Sequence, residues 1–219
     1  KLIADVVDAA RQLHPRFIAL AGTPIPMITG CDLPAIAREV EGRTKIPSFA
    51  VPSNGIGTYV AGAGQALRLY AERFITSRPE KRKNAVNILG ATPLDFSVNG
   101  CVQSMARRLE KADFTLQSVF AMSSSIDAID KAGAAEANLV ISSVGLPAAK
   151  YLQAQFGTPY VIGAPFGDFF SPYVFDALRE SIRTGAPADV LGTFAPDAPD
   201  TAIVGESVTA KSLAAALAV

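Results

Sequence analysis

Short apolar runs alternate with segments of helical periodicity along nearly the whole chain, and this alternation constrains the fold most. Such runs are strands buried on both faces, and crossover helices are what join parallel strands of one sheet. Leu2, Val6, Ala9, Ala10 and Leu13 repeat at helical spacing, and Pro15 ends that helix. Residues 17–21 read as a strand, and a turn-rich loop fills 22–31. Asp32 can cap the next helix, which tolerates Pro34 in its first turn and reaches about residue 40. A second strand, interrupted by prolines, covers 46–51. The glycine-rich stretch 54–57 then leads into a helix ending near residue 77.

Residues 78–84 are charged and carry no apolar anchor, so they read as a linker. A new unit follows, with strands expected at 86–89, 114–122, 138–142 and 159–163, and helices at 98–111, 125–131, 147–156 and 172–183. The resulting division is a first Rossmann-like α/β domain over 1–77, incomplete at its N-terminus, and a second over 84–185. A Pro/Asp-rich linker over 186–200 then leads to 201–219, the start of a third domain or a swapped strand–helix unit. In that last piece a strand is expected at 201–205 and a helix at 211–217. Each half is expected to form a small doubly wound parallel sheet flanked by helices. The chain has no initiator methionine or signal peptide, opens inside a helical pattern and stops after one strand–helix pair. It therefore reads as part of something longer, or as a piece completed by a partner chain.

Composition narrows the function classes. With 49% hydrophobic and 18% charged residues, a large core is easily filled and disorder is excluded. Twenty basic side chains balance twenty acidic ones, without the basic stripe that a nucleic-acid partner would need. No apolar run approaches the roughly 20 residues of a membrane span. Two cysteines, Cys31 and Cys101, fit a reducing cytoplasm rather than a disulfide framework. The single histidine, His14, excludes a multi-histidine metal site within this stretch and argues against a serine–histidine pair. At the end of its helix it reads as a C-terminal cation.

Parallel α/β sheets hold ligands beyond the carboxyl ends of their strands. The candidate loops are therefore 22–32, 52–58, 90–97, 122–125, 142–146 and 163–170. Gly55, Gly57, Gly62 and Gly64 do not complete a dinucleotide fingerprint, because Val60 or Leu67 stands where the third glycine is needed. Ser123–Ser125 reads as a helix start, with Ser124 and Asp127 forming a capping box. Cys101 shares a helix face with Met105 and reads as core. Cys31 lies at a strand's carboxyl edge beside a helix N-terminus, where a thiol could do chemistry. Asp95 and Asp168 each follow a strand and precede a helix, as caps or as ligand-facing groups.

Taken in order, these segments resemble the nitrogenase component 1 type oxidoreductase family. The stretch RFIALAGTPIPMITGCD followed by LPAIAREVE (16–41) is similar to the family's strand, Cys-Pro turn and helix. VPSNGIGTYVAGAGQAL (51–67) resembles the next strand, Gly-rich loop and helix. NAVNILGATPLDFSVNGCVQSMARRLEKADFTLQSVF (84–120) and AEANLVISSVGLPAAKYLQAQFGTPYVIGAPFG (135–167) resemble its second domain, and DTAIVGESVTAKSLAAAL (200–217) the start of a third.

The resemblance implies Rossmann-like domains and an oligomer, homo- or hetero-, with a nitrogenase-like subunit. It also implies an iron–sulfur cluster at a domain or subunit interface and electrons from an ATP-dependent iron–sulfur reductase. The departures of this sequence from the family's pattern point to a substrate other than dinitrogen. Thr23 stands at the family's cysteine position before Pro24, Cys31 replaces the first acidic residue of the turn, and Asp32 remains as the second. A hydroxyl is a poor substitute for a thiolate on iron. By this resemblance Thr23, Cys31, Asp32 and Asn54 line the cluster region, with Cys31 as the candidate metal ligand. Thr92, Asp95, Ser143 and Asp168 line the facing edge of the second domain. The alternative is a scaffold or small-ligand-binding protein of the same fold that has lost its cluster ligands.

Overall fold

Helix α1 (Leu2–Leu13) stops because His14 adopts a left-handed conformation (φ 47°) and Pro15 cannot continue the hydrogen-bond ladder. In this computed structural model, which describes residues 1–97, 99–193 and 202–217, the chain then enters a two-stranded parallel sheet. Its strands are β1 (Ile18–Ala21) and β2 (Ser48–Val51), in the register Ile18 to Ser48. Between them come α2 (Pro24–Ile28), a short helix inside the expected loop with proline in its first turn, and α3 (Leu33–Thr44). Helix α3 packs across both strands, and α1 packs on α3.

On the other side, Phe17 and Phe49 meet Tyr70 and Phe74 of α4 (Tyr59–Phe74). The Tyr70–Phe74 ring centroids lie 4.8 Å apart and the Phe17–Phe74 centroids 5.5 Å apart. Such aromatic contacts contribute about 0.5–1.5 kcal/mol each beyond simple area burial. Only two strands form this sheet among the described residues, so the doubly wound arrangement expected for each half is confined to the second.

The second sheet has five parallel strands in the order β4-β3-β5-β6-β7. These are β3 (Ala85–Leu89), β4 (Thr115–Val119), β5 (Ala137–Val140), β6 (Tyr160–Ile162) and β7 (Ala188–Asp189). The chain winds outward from β3 to β4, then crosses back to β5, so the topological switch point lies between β3 and β5. Strands β3 and β5 are wholly buried, as parallel strands covered on both faces must be. The connecting helices are α5 (Pro93–Phe96), α6 (Cys101–Lys111), α7 (Ile126–Asp130), α8 (Leu146–Phe156) and α9 (Gly167–Thr184).

Three polar side chains cross this apolar interior and satisfy one another. Asn87 Nδ2 donates to Asn138 Oδ1 (2.8 Å) and to the Ala132 carbonyl (3.0 Å), while Ser118 Oγ donates to Asn87 Oδ1 (2.7 Å). Because Asn87 pairs with Ser118 on β4 and Asn138 on β5, the network fixes the register of the three central strands.

Several boundaries depart from the expected ones. The linker read at 186–200 contains β7 and a 3₁₀ turn at Leu191–Thr193; its residues 194–200 lie outside the described ones. No strand forms over 202–205, and Thr201 and the expected helical Val98 also lie outside the described residues. Helix α10 (Ser207–Leu217) starts earlier than 211, because the Glu206 carboxylate accepts from the Val208 and Thr209 amides and so caps it. It packs on α9 and buries Val208 and Ala215 in the core of the second sheet. Helix α9 likewise starts five residues before Pro172, at Gly167. Ser125, not Ser124, caps α7 by accepting from the Ala128 amide, while Ser124 Oγ accepts from Val119 N–H.

The segment between the sheets is fixed in place. Lys81 Nζ donates to the Ala135 carbonyl (2.7 Å) and to Thr158 Oγ1, and Arg82 N–H donates to the Ala134 carbonyl (2.9 Å). Helix α4 joins the two sheets as well. Its Ala71, with Ile75 directly after it, is fully buried against Leu89, Phe120 and Leu152, so one continuous core runs from the small sheet's covering helix into the second sheet.

Candidate functional site

The loops that follow β1 and β2 are stitched together. Ser53 Oγ donates to the Gly22 carbonyl (2.8 Å). Gly55 has φ +70°, and a Cβ there would stand 2.5 Å from Pro24 Cδ, so only glycine fits beside this turn. Asn54 Oδ1 accepts from the amides of Ile56 (2.9 Å) and Gly57 (3.1 Å), folding the loop back on itself. Thr58 then caps α4 by accepting from the Ala61 amide. The result is a cavity of about 510 Å³ at the carboxyl edge of the small sheet, walled by residues 52–58 and the first turns of α4.

Tyr59, in that first turn, carries the site across to the second sheet. Its hydroxyl donates to Thr92 Oγ1, and Thr92 donates to Asp95 Oδ2 (3.1 Å). Thr92 is buried at the carboxyl end of β3, and Tyr59 remains 39% exposed toward the cavity. Burial pushes the Tyr59 hydroxyl above its ordinary pKa, and the negative charge of Asp95 adds to this. The phenol therefore stays protonated through the neutral range.

The switch point itself is closed by backbone contact. A Cβ at Gly145 would lie 2.5 Å from the Leu89 carbonyl carbon, so the loops after β3 and β5 touch main chain to main chain. The next group there, the Ser143 amide, donates to Glu206 Oε1 (2.9 Å), and the Ser143 and Ser207 hydroxyls lie 2.8 Å apart. Burial works to raise the Glu206 pKa. Hydrogen bonds from Ser143, Thr209 and Val208 outweigh it and hold the carboxyl below its usual value.

The sequence-derived site residues thus fall into separate places. Thr92 and Asp95 meet at the seam through Tyr59, Asn54 lines the cavity on the small-sheet side, and Thr23 adjoins it through the Pro24–Gly55 contact. Cys31 lies past the other end of α2, half-buried. Asp32 is committed as the cap of α3, accepting from the Ala35 amide (2.9 Å). Ser143 is covered by Glu206. Asp168 pairs with Arg108 (2.6 Å) on α6. Burial raises the pKa of the half-buried Cys101 thiol, as expected of a packing residue. Tyr59 is not among the expected site residues; the available signal is an aromatic hydroxyl directly after a helix cap in an edge loop.

An iron–sulfur cluster needs several converging thiolates. Among the described residues no three His, Cys, Asp or Glu side chains converge to hold a metal. The turn carries a hydroxyl at Thr23, and α2 separates Cys31 from it. These residues alone do not fit a cluster.

Parallel sheets flanked by helices, joined where Tyr59 meets Thr92, define a Rossmann-like α/β protein. The chain belongs to the nitrogenase component 1 type oxidoreductases, whose family model matches residues 1–189. It is 34% identical over 177 residues to a subunit of the light-independent protochlorophyllide reductase of Nostoc punctiforme, covering 76% of this chain and 35% of that protein. It is also 25% identical over 167 residues to the nitrogenase iron-molybdenum cofactor biosynthesis protein NifE of Clostridium pasteurianum, covering 74% of this chain and 35% of that protein. The chain thus spans about a third of the length of these curated relatives. The solved structure of nitrogenase Cp1 at pH 5 superposes with a TM-score of 0.65 at 22% identity, covering 83% of this chain and 39% of that one. No described helix is long and apolar enough to cross a membrane.

Proposed function

We propose that this chain is part of a nitrogenase-like oxidoreductase subunit that presents a substrate other than dinitrogen at the seam, while electrons reach it from outside the described residues. The observation that carries this reading is a cavity at the carboxyl edge of the small sheet whose wall residue Tyr59 is hydrogen-bonded to Thr92, and through it to Asp95, in the loop after β3. A ligand held there would meet Tyr59, which the second unit's Thr92 holds in place through its hydroxyl. Asn54 lines this cavity, Thr92 and Asp95 lie behind the Tyr59 hydroxyl, and Thr23 adjoins it through the Pro24–Gly55 contact. Cys31 offers one thiolate, so the remaining ligands of any iron–sulfur cluster come from elsewhere in the full-length protein or from a nitrogenase-like partner subunit. The family membership and a relative named as a reductase subunit support an oligomer supplied by an ATP-dependent iron–sulfur reductase. The domain division at 78–84 and 186–200 belongs to the same proposal.

The test is iron and acid-labile sulfide, with the visible spectrum, on full-length protein purified without oxygen. Near-equal iron and sulfide with a thiolate-to-iron absorption band is the expected result. Colourless, iron-free protein after attempted reconstitution overturns the electron-transfer reading and leaves a scaffold or ligand-binding role for the same cavity.

A further inference from the structure

We propose that the seam cavity binds a neutral or cationic organic molecule that donates an N–H or O–H hydrogen bond to the Tyr59 hydroxyl, and that it discriminates against anions. This rests on the reading above, that the seam is a ligand site, and adds the chemical class of the ligand.

The direction of the hydrogen-bond chain carries the first part. Thr92 has one hydroxyl proton and gives it to Asp95, so it can only accept from Tyr59. Tyr59, which lines the cavity and is 39% exposed, has then spent its own proton, so its hydroxyl oxygen offers a ligand lone pairs alone. A ligand that meets this oxygen must therefore bring the hydrogen.

Charge carries the second part. None of the residues lining the cavity has a charged side chain. The charges that act on Tyr59 from beyond the wall, Asp95 and Glu206, are both negative. Three of the loop's backbone donors are already taken: Asn54 accepts from the Ile56 and Gly57 amides, and Thr58 accepts from the Ala61 amide. Gln65 lines the same wall and its side chain makes no hydrogen bond among the described residues, so its amide can hold a second polar group of the ligand.

The test compares three molecules of one shape and different charge on the full chain: benzamidine, benzamide and benzoate, followed by amide chemical shifts in 54–66. Benzamidine and benzamide are expected to shift these amides and to bind about tenfold more tightly than benzoate. Tyr59→Phe should weaken benzamide about fivefold or more. Asp95→Asn, which keeps the shape of the wall, should narrow the gap between benzamidine and benzoate several-fold. Binding of benzoate at least as tightly as benzamidine overturns the proposal, as do unchanged benzamide affinity in Tyr59→Phe or binding by none of the three. An iron-free full-length protein would instead overturn the electron-transfer reading while leaving this charge order standing.

Discussion

Replacing Asn87 with alanine should remove a large share of the protein's stability, although the residue touches no ligand-facing surface. Asn87 is fully buried in β3 and makes three side-chain hydrogen bonds, to Asn138, Ala132 and Ser118. Alanine deletes all three and leaves three polar partners inside the sheet. At about 1–2 kcal/mol for each buried group left without a partner, the loss is about 3–6 kcal/mol. Domains of this kind carry about 5–15 kcal/mol in total. With a urea slope of about 2 kcal/mol/M, the unfolding midpoint should fall by about 1.5–3 M. Ser118→Ala in the Asn87→Ala background should then cost less than it does in the wild type, because its hydroxyl has already lost its acceptor. A loss below about 1 kcal/mol, or strictly additive single and double variants, would refute the claim that these side chains act as one network.

Three further outcomes follow from the seam and the helix that covers the switch point. Gly55→Ala places a Cβ against Pro24 at φ +70° and should lower stability by about 1–3 kcal/mol; an unchanged thermal midpoint contradicts the packing described for that turn. Glu206→Ala removes both the cap of α10 and the acceptor for Ser143. It should speed hydrogen exchange at the Ser143 amide by about tenfold or more, and unchanged protection there refutes the contact. The Glu206 carboxyl is held below its unfolded value of 4.5, so its contribution is complete above that value. It is lost as the pH falls through the lower folded-state pKa. Exchange at Ser143 should therefore rise below about pH 4.5 in the wild type and show no such rise in Glu206→Gln.

The central strands are legible in the sequence because their residues leave no alternative. Ala85–Leu89 and Ala137–Val140 are short apolar runs, each with one asparagine, and the two asparagines prove to be partners of each other. Strand β7 is not legible: two residues, Ala188 and Asp189, carry no pattern, and only pairing with β6 makes them a strand. The start of α10 is hidden for a related reason, since Glu206 acts as a cap while also holding Ser143, sixty-three residues earlier. In the site, Asn54, Thr92 and Asp95 emerge from the rule that ligands gather at carboxyl strand ends. Asp168 follows the same rule, yet Arg108 on α6 engages it instead. Tyr59 escapes sequence reasoning because its importance lies in a hydrogen bond to another sheet, and spacing along the chain does not record such a bond.

The most direct measurement is a crystal structure of the full chain with benzamide bound. Density is expected in the cavity between residues 52–58 and α4, with the amide nitrogen about 3 Å from the Tyr59 hydroxyl oxygen. Benzamide bound elsewhere, or a Tyr59 hydroxyl turned away from Thr92 to serve the ligand as donor, would contradict the hydrogen-bond direction on which the seam's selectivity rests.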